Sequence, residues 1–255
     1  MAKKETEKKV IKIVMGIPSE GHTLPEAYDN HLLNAFRLGA WQVEMRHWDK
    51  PYRYEISWYT TGRMLTQLAR ERLITAALDG GADFLVMFDD DMVLPIDMVQ
   101  RMLEDMQKNK EIDILGALAF MRNPPHYPVI YNTIDGYDAK LRTEVYIREY
   151  VKHYPKNSLV ECDAVGFGGV CIRLDMVRKK MKEPYFMSTT NTGEDLWFCY
   201  KAKEAGARIF MDTRIKLGHL KNPEIVDEQY FEKWVKENKH DLGREVPNKY
   251  TSYEK

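Results

Sequence analysis

The stretch Phe84–Pro95, FLVMFDDDMVLP, runs five apolar or aromatic residues straight into Asp89, Asp90 and Asp91. Three adjacent carboxylates at the end of a buried run need partners. At about 6 Å apart and an effective dielectric near 20, two carboxylates repel by roughly 2–3 kcal/mol. A divalent cation removes that cost. Mg²⁺ prefers carboxylate oxygen and keeps coordination places for phosphates and water, and Mn²⁺ accepts the same ligands plus an imidazole. The plain alternative is a solvated acidic turn ahead of a helix starting near Pro95, where the helix dipole favours a carboxylate. One aspartate would suit the turn; three at the end of a buried strand point to the metal.

The elements that must position these carboxylates follow from periodicity. VIKIVMGIPS (Val10–Ser19) reads as a buried strand stopped by Gly16 and Pro18. Leu24–Leu38 reads as a helix ending at Gly39, and Trp41–Trp48 as a second strand. Arg63–Leu78 carries one apolar helical face and stops at Gly80-Gly81. Asp83–Phe88 is a continuously apolar strand, Ile96–Gln107 a helix and Ile112–Phe120 another strand. This alternation predicts an α/β fold with a mostly parallel central sheet flanked by helices. In such a sheet, ligands bind beyond the carboxyl ends of the strands, where the three aspartates stand.

Tyr127–Glu149 changes character. A turn at Asp135-Gly136 and alternation in Thr143–Ile147 predict a small antiparallel sheet. DAVGFGGVCIR (Asp163–Arg173) reads as a glycine-broken strand followed by a helix over Leu174–Met181. Its GFGG run suits either a close backbone approach to a ligand or a kinked strand. Gly193–Ala205 is helical, Arg208–Met211 a strand and Asp227–Asn238 a terminal helix. The expected organisation is a charged tail over 1–9, one main domain over 10–220, and a helix with a polar tail over 221–255.

Composition narrows the class. The 255 residues are 44% hydrophobic and 30% charged, with a formal net charge of -1. That balance carries no basic footprint for nucleic acid. Cys162, Cys171 and Cys199 lack CxxC spacing and read as reduced core thiols of a cytoplasmic protein. MAKKETEKKV has no apolar segment of a signal peptide. No run reaches the roughly 18 apolar residues of an integral membrane segment.

Taken in order, the DxD-type strand end, the preceding LARER (Leu68–Arg72), DAVGFGGVCIR, and TGEDLWFCYKAKEAGARIFMD with His219 after it resemble the GT-A-fold, family-2-like glycosyltransferases. The resemblance spans roughly Val10–Leu220. It implies a nucleotide-diphosphate sugar as donor, UDP being the family's usual nucleotide, and a hydroxyl acceptor. Ile17, Pro18 and Ser19 would meet the nucleoside. Arg70 would lie near the base or diphosphate, although Arg72 is adjacent and either arginine could point inward. Asp91 and His219 would hold Mn²⁺ or Mg²⁺, with Asp89 shared between metal and ribose and Asp90 the undetermined middle member. Asp195 would be the general base, with Glu194 as second choice or acceptor-binding partner; an aspartate base implies inversion. Without the resemblance, Glu194-Asp195 is an ordinary acidic first turn of a helix.

Other features stay open on sequence. Trp197 suits an acceptor pocket or the core equally. FMRNPPHYP (Phe120–Pro128) brings Arg122 and His126 to a further strand end. Tyr230, Phe231, Trp234, Tyr250 and Tyr253 could shape an acceptor site or a homodimer contact, with packing of one helix face the default for the first three. The chain lacks QxxRW, which disfavours a processive synthase. The acceptor could be a saccharide, a small molecule or a modified nucleic-acid base. Two rivals remain: a nucleotidyltransferase, disfavoured because IPSEGHT is not a glycine- and lysine-rich phosphate loop, and a non-catalytic nucleotide-sugar-binding module.

Overall fold

The computed structural model describes residues 9–19, 21, 23–44, 52–138, 143–189, 192–221, 224–243 and 252–253. The chain runs β1 (Lys9–Ile17), α1 (Pro25–Glu44), β2 (Tyr52–Thr60), α2 (Thr66–Asp79), β3 (Phe84–Phe88), β4 (Met92–Val93), α3 (Met98–Lys108) and β5 (Ile114–Leu118). It continues through β6 (Ile130–Asp138), β7 (Thr143–Tyr150), β8 (Leu159–Cys162), β9 (Ala164–Val165), β10 (Gly169–Arg173) and α4 (Leu174–Lys180). Last come α5 (Glu194–Glu204), β11 (Ile209–Lys216), β12 (Gly218–Lys221), β13 (Glu224–Val226), α6 (Glu228–Glu237) and β14 (Ser252–Tyr253).

An eight-stranded sheet in the order β14-β8-β11-β5-β10-β3-β1-β2 forms the centre. The pairs β1–β2, β1–β3 and β5–β11 are parallel. β10 enters antiparallel between β3 and β5. β6, β7 and β9 form a small antiparallel sheet, and β13, β12 and β4 another. Six of the eight strands share one direction and β8 and β10 oppose them, so this is the α/β architecture with a mostly parallel central sheet and small antiparallel sheets that the sequence predicts.

Every residue of β3 and β5 is buried because helices cover both faces of the sheet. One core joins Val14, Leu85 and Met87 to Leu73, Ile74 and Ala77 of α2 and to Phe198 and Ala202 of α5. The other joins Ile11, Ile13, Met15, Phe84, Val86 and Phe88 to Leu38 of α1 and to the methionine-rich face of α3. The period-2 alternation of β1 and β3 thus sorts side chains between the two cores. Cys162, Cys171 and Cys199 are free and buried, as expected of core thiols.

Three expectations need correction. α1 passes through Gly39 to Glu44, so Trp41–Glu44 are helical rather than extended; the rest of the expected strand, 45–48, lies outside the described residues. A mid-helix glycine costs only about 1 kcal/mol against alanine, and Ala27, His31, Asn34 and Leu38 bury a continuous helical face that offsets it. The second strand is instead β2, YRYEISWYT, whose aromatic and β-branched alternation was there to be read. Asp135-Gly136 is no turn: β6 runs through it, with Asp135 opposite Tyr146 and Gly136 opposite Val145.

Candidate active site

The three aspartates lie in the turn that leaves β3, where Met92 N–H bonds the Asp89 carbonyl at 3.2 Å. From there they diverge, each to its own partner. Asp89 Oδ1 meets Arg70 at 2.8 Å. Asp90 Oδ2 accepts from Ser19 Oγ at 2.9 Å, which ties the end of β1 to the turn. Asp91 Oδ2 stands 3.1 Å from His219 Nε2 and 3.3 Å from an Arg122 nitrogen. Pairing each carboxylate with groups from other elements offsets part of their mutual repulsion.

His219 reaches Asp91 through local pairing. β12 runs antiparallel to β4 with His219 opposite Met92, and Leu220 N–H bonds the Asp91 carbonyl at 2.9 Å. On the opposite side, buried His31 of α1 donates from Nε2 to the Met92 carbonyl at 2.9 Å. Burial pulls the His31 pKa down to about 4, so this ring is neutral. Asn34 of α1 holds the Pro95 carbonyl and the Val99 N–H. The acidic turn is therefore clamped from both sides by backbone contacts.

Arg70 is the arginine that turns inward; Arg72 is exposed. The Arg70 side chain is 3% exposed and already engaged by protein groups. It pairs with Asp89, lies 3.1 Å from Glu194 Oε1, donates to the Phe167 carbonyl at 3.3 Å, and lies 5.4 Å from the centre of the Phe167 ring. It therefore links the acidic turn to the first turn of α5 and to the GFGG segment. Glu194 is its counter-ion.

Burial shifts the titrations of this cluster. It raises Asp89 to about 7, opposed by the Arg70 guanidinium and reinforced by Asp91, Glu194 and Asp195. Asp195 is also raised, first by burial and then by Glu194, with Arg70 pulling the other way. For Asp91, burial favours the neutral form but is outweighed by His219 and Arg122, and its pKa falls. For His219, burial favours the neutral ring but is outweighed by Asp91 and the Phe120 carbonyl, and its pKa rises.

Asp89, Asp195 and His219 line one cleft of about 280 Å³, together with Arg122, Phe167 and Gly168. Ile17, Pro18 and Ser19 are buried and do not line it; they join the cluster through the Ser19–Asp90 bond. The GFGG glycines pack closely, Gly166 against the stiff Val129 side chain and Gly168 against the flexible tip of Met92. A Cβ on Gly166 would stand 2.8 Å from Val129 Cβ, and one on Gly168 2.6 Å from Met92 Cε. Trp197 packs beside Tyr200 rather than in the cleft. Phe231 is buried, and Tyr230 and Trp234 flank His126, so these three aromatic residues follow the packing default. Tyr250 lies outside the described residues.

Among the described residues, no group of three or more His, Cys, Asp or Glu side chains is gathered tightly enough to hold a metal ion alone. What the chain offers is the Asp91–His219 pair. His219 Nδ1 faces the Phe120 carbonyl at 2.9 Å, the outer contact that orients a metal-binding imidazole. Two protein ligands fit the manner in which Mg²⁺ or Mn²⁺ is held when substrate phosphates and water complete the shell. Sequence reading missed the Arg122–Asp91 contact. Its only sequence signal was the proline-rich loop that carries Arg122 to a strand end.

No helix among the described residues is long and apolar enough to cross a membrane. No family model matches the chain, and no curated protein matches it. Among solved structures, A197 from STIV is similar at 18% identity and a TM-score of 0.54, over 85% of this chain and 94% of that one, which is a likeness of fold. Apo UDP-glucose pyrophosphorylase aligns at 9% identity and a TM-score of 0.47, over 90% of this chain and 98% of that one. A CMP:2-keto-3-deoxy-manno-octonic acid synthetase complexed with CTP aligns at 9% and 0.41, over 80% and 89%. At these last two scores the likeness carries no statement about this chain.

Proposed function

We propose that the protein is a metal-dependent glycosyltransferase that moves a sugar from a nucleotide-diphosphate sugar, a UDP-sugar by default, to a hydroxyl acceptor. The observation that carries this reading is the convergence of Asp89, Asp195 and His219 on one cleft beyond the carboxyl ends of β3 and β5. Asp195 is the base. As the acceptor oxygen attacks the anomeric carbon, its proton passes to the Asp195 carboxylate and the bond to the diphosphate oxygen breaks, with inversion. The raised pKa of Asp195 suits a base that must retain the proton it takes. Glu194, bound to Arg70, is a positioning residue. Asp91 and His219 would hold Mn²⁺ or Mg²⁺, which would supply a Lewis acid against the charge developing on the nucleoside diphosphate.

The test is a panel of nucleotide sugars with Mn²⁺, offered saccharides, small hydroxyl compounds and modified nucleobases as acceptors. Release of a nucleoside diphosphate with a glycosylated product supports the reading. Release of pyrophosphate from a nucleoside triphosphate and a sugar phosphate would overturn it in favour of nucleotidyl transfer. Binding of a nucleotide sugar with no turnover on any acceptor would favour the binding module.

A further inference from the structure

The segment 121–127 is closed on itself. Met121 N–H bonds the Tyr127 carbonyl at 3.0 Å, Phe120 and Pro128 form a bridge below it, and His126 N–H bonds the Asn123 carbonyl at 3.1 Å. His126 is fully buried, with Nδ1 2.9 Å from the Met121 carbonyl. Its ring meets Tyr230 and Trp234 edge to face, 5.1 and 5.4 Å between centres. Phe120 stacks on Phe231 at 5.2 Å, and Tyr127 Oη lies 3.0 Å from His240 Nε2. α6 and His240 beyond it therefore brace both ends of this loop, at Phe120 and at His126-Tyr127. A loop anchored at so many points presents a side chain at a fixed place.

The charged side chain it presents to the cleft is Arg122, between Met121 and Asn123. Arg122 is 53% exposed, and among the described residues its one ion pair is the 3.3 Å contact with Asp91. A guanidinium has five N–H donors, and this single contact leaves most of them to the solvent of the cleft. Arg70 is 3% exposed and already ion-paired with Asp89 and Glu194, so the cleft's accessible guanidinium is that of Arg122. We infer that Arg122 is an anion-binding residue for the diphosphate of the donor, making paired N–H bonds to phosphate oxygens and carrying the charge of the departing nucleoside diphosphate. The inference rests on the glycosyltransferase reading and adds the residue that recognises the leaving group. It has a second consequence. A divalent cation held by Asp91 and His219 would weaken the Asp91–Arg122 pair and leave the guanidinium to the phosphates.

The experiment compares the full-length wild type with Arg122→Gln and Arg122→Lys. Calorimetry follows UDP, GDP, CDP and ADP, and the matching monophosphates, in the presence of Mn²⁺. Mn²⁺ alone is titrated by electron paramagnetic resonance. The expected result is a loss of about tenfold or more in diphosphate affinity for Arg122→Gln, a smaller loss for Arg122→Lys, and little change for the monophosphates. Mn²⁺ alone should bind Arg122→Gln more tightly than wild type, an effect that damage to the fold would not produce. Equal diphosphate affinity in wild type and Arg122→Gln would overturn the role of Arg122 while leaving the donor site standing. Failure of the wild type itself to bind any diphosphate would overturn the donor-site reading, and the role of Arg122 with it.

Discussion

At the scale of single residues, Asp195 and Arg70 make opposed predictions. Asp195→Asn keeps the shape of the first turn of α5 but cannot accept a proton, so donor binding should survive while transfer falls by about 10²–10⁴-fold. Calorimetry beside a turnover assay separates the two, and wild-type transfer by the variant would remove Asp195 as the base. Because burial raises the Asp195 pKa from its ordinary value, kcat/KM should rise with pH along a limb displaced upward from that value. Arg70→Gln removes the cation that opposes the upward shifts of Asp195 and Asp89, so the limb should move to still higher pH. Leaving Asp89 and Glu194 without their buried partner should also cost about 3–5 kcal/mol in denaturant unfolding. A limb that does not move in Arg70→Gln would show the arginine to be purely structural. Much of this site was legible in residue types: the aspartates, Glu194-Asp195 and His219 stood out in the sequence, and Asp89, Asp195 and His219 share one cleft. What could not be read was direction. Nothing in LARER says that Arg70 is buried and Arg72 exposed, because both sit on a helix whose neighbours come from residues 89, 167 and 194.

At the scale of elements, α6 shows how a terminal helix is fastened to the sheet. Its N-cap Asp227 accepts from Tyr230 N–H at 2.8 Å. In its first turn, Glu228 receives Lys156 at 2.6 Å and Tyr154 at 2.8 Å, and also Lys216. Burial works against this carboxylate, yet the bonds from Lys156, Lys216 and Tyr154 hold its pKa down at about 2. A depressed folded-state pKa contributes stability that is present above the unfolded value of about 4.3 and is lost as pH falls toward 2. Glu228→Gln should therefore cost about 1.5–3 kcal/mol near neutral pH, and its deficit in thermal unfolding should close between roughly pH 4 and 2. A deficit that persists at pH 2 would show that the loss comes from packing. The order of elements was legible because long helices and buried strands carry strong periodicity. β8, four residues long, was missed because so short a run has no period to count. The expected reversal at Asp135-Gly136 failed because pairing with β7 decides the strand there, and turn-forming residues do not end a strand that has a full partner.

At the scale of the molecule, the site is assembled from distant segments: Ser19 after β1, Arg70 of α2, the turn after β3, the loop after β5, α5 and β12. Two cores on opposite faces of one sheet support it, so a ligand bound there holds together elements that unfolding would separate. A nucleotide sugar that binds only the folded chain, at about 100 times its dissociation constant, adds about 2.7 kcal/mol. For a chain of this size that is a rise in melting temperature of roughly 5–11 °C. The rise should be largest with Mn²⁺ or Mg²⁺ and nucleotide sugar together, since the Asp91–His219 pair offers a cation two ligands and donor phosphates would add more in place of water. Asp91→Ala should abolish the metal-dependent part of the rise while leaving any metal-independent part unchanged. An equal rise with and without divalent metal, unaffected by Asp91→Ala, would assign the donor phosphates to Arg122 and other fixed cations and remove the metal from the proposal.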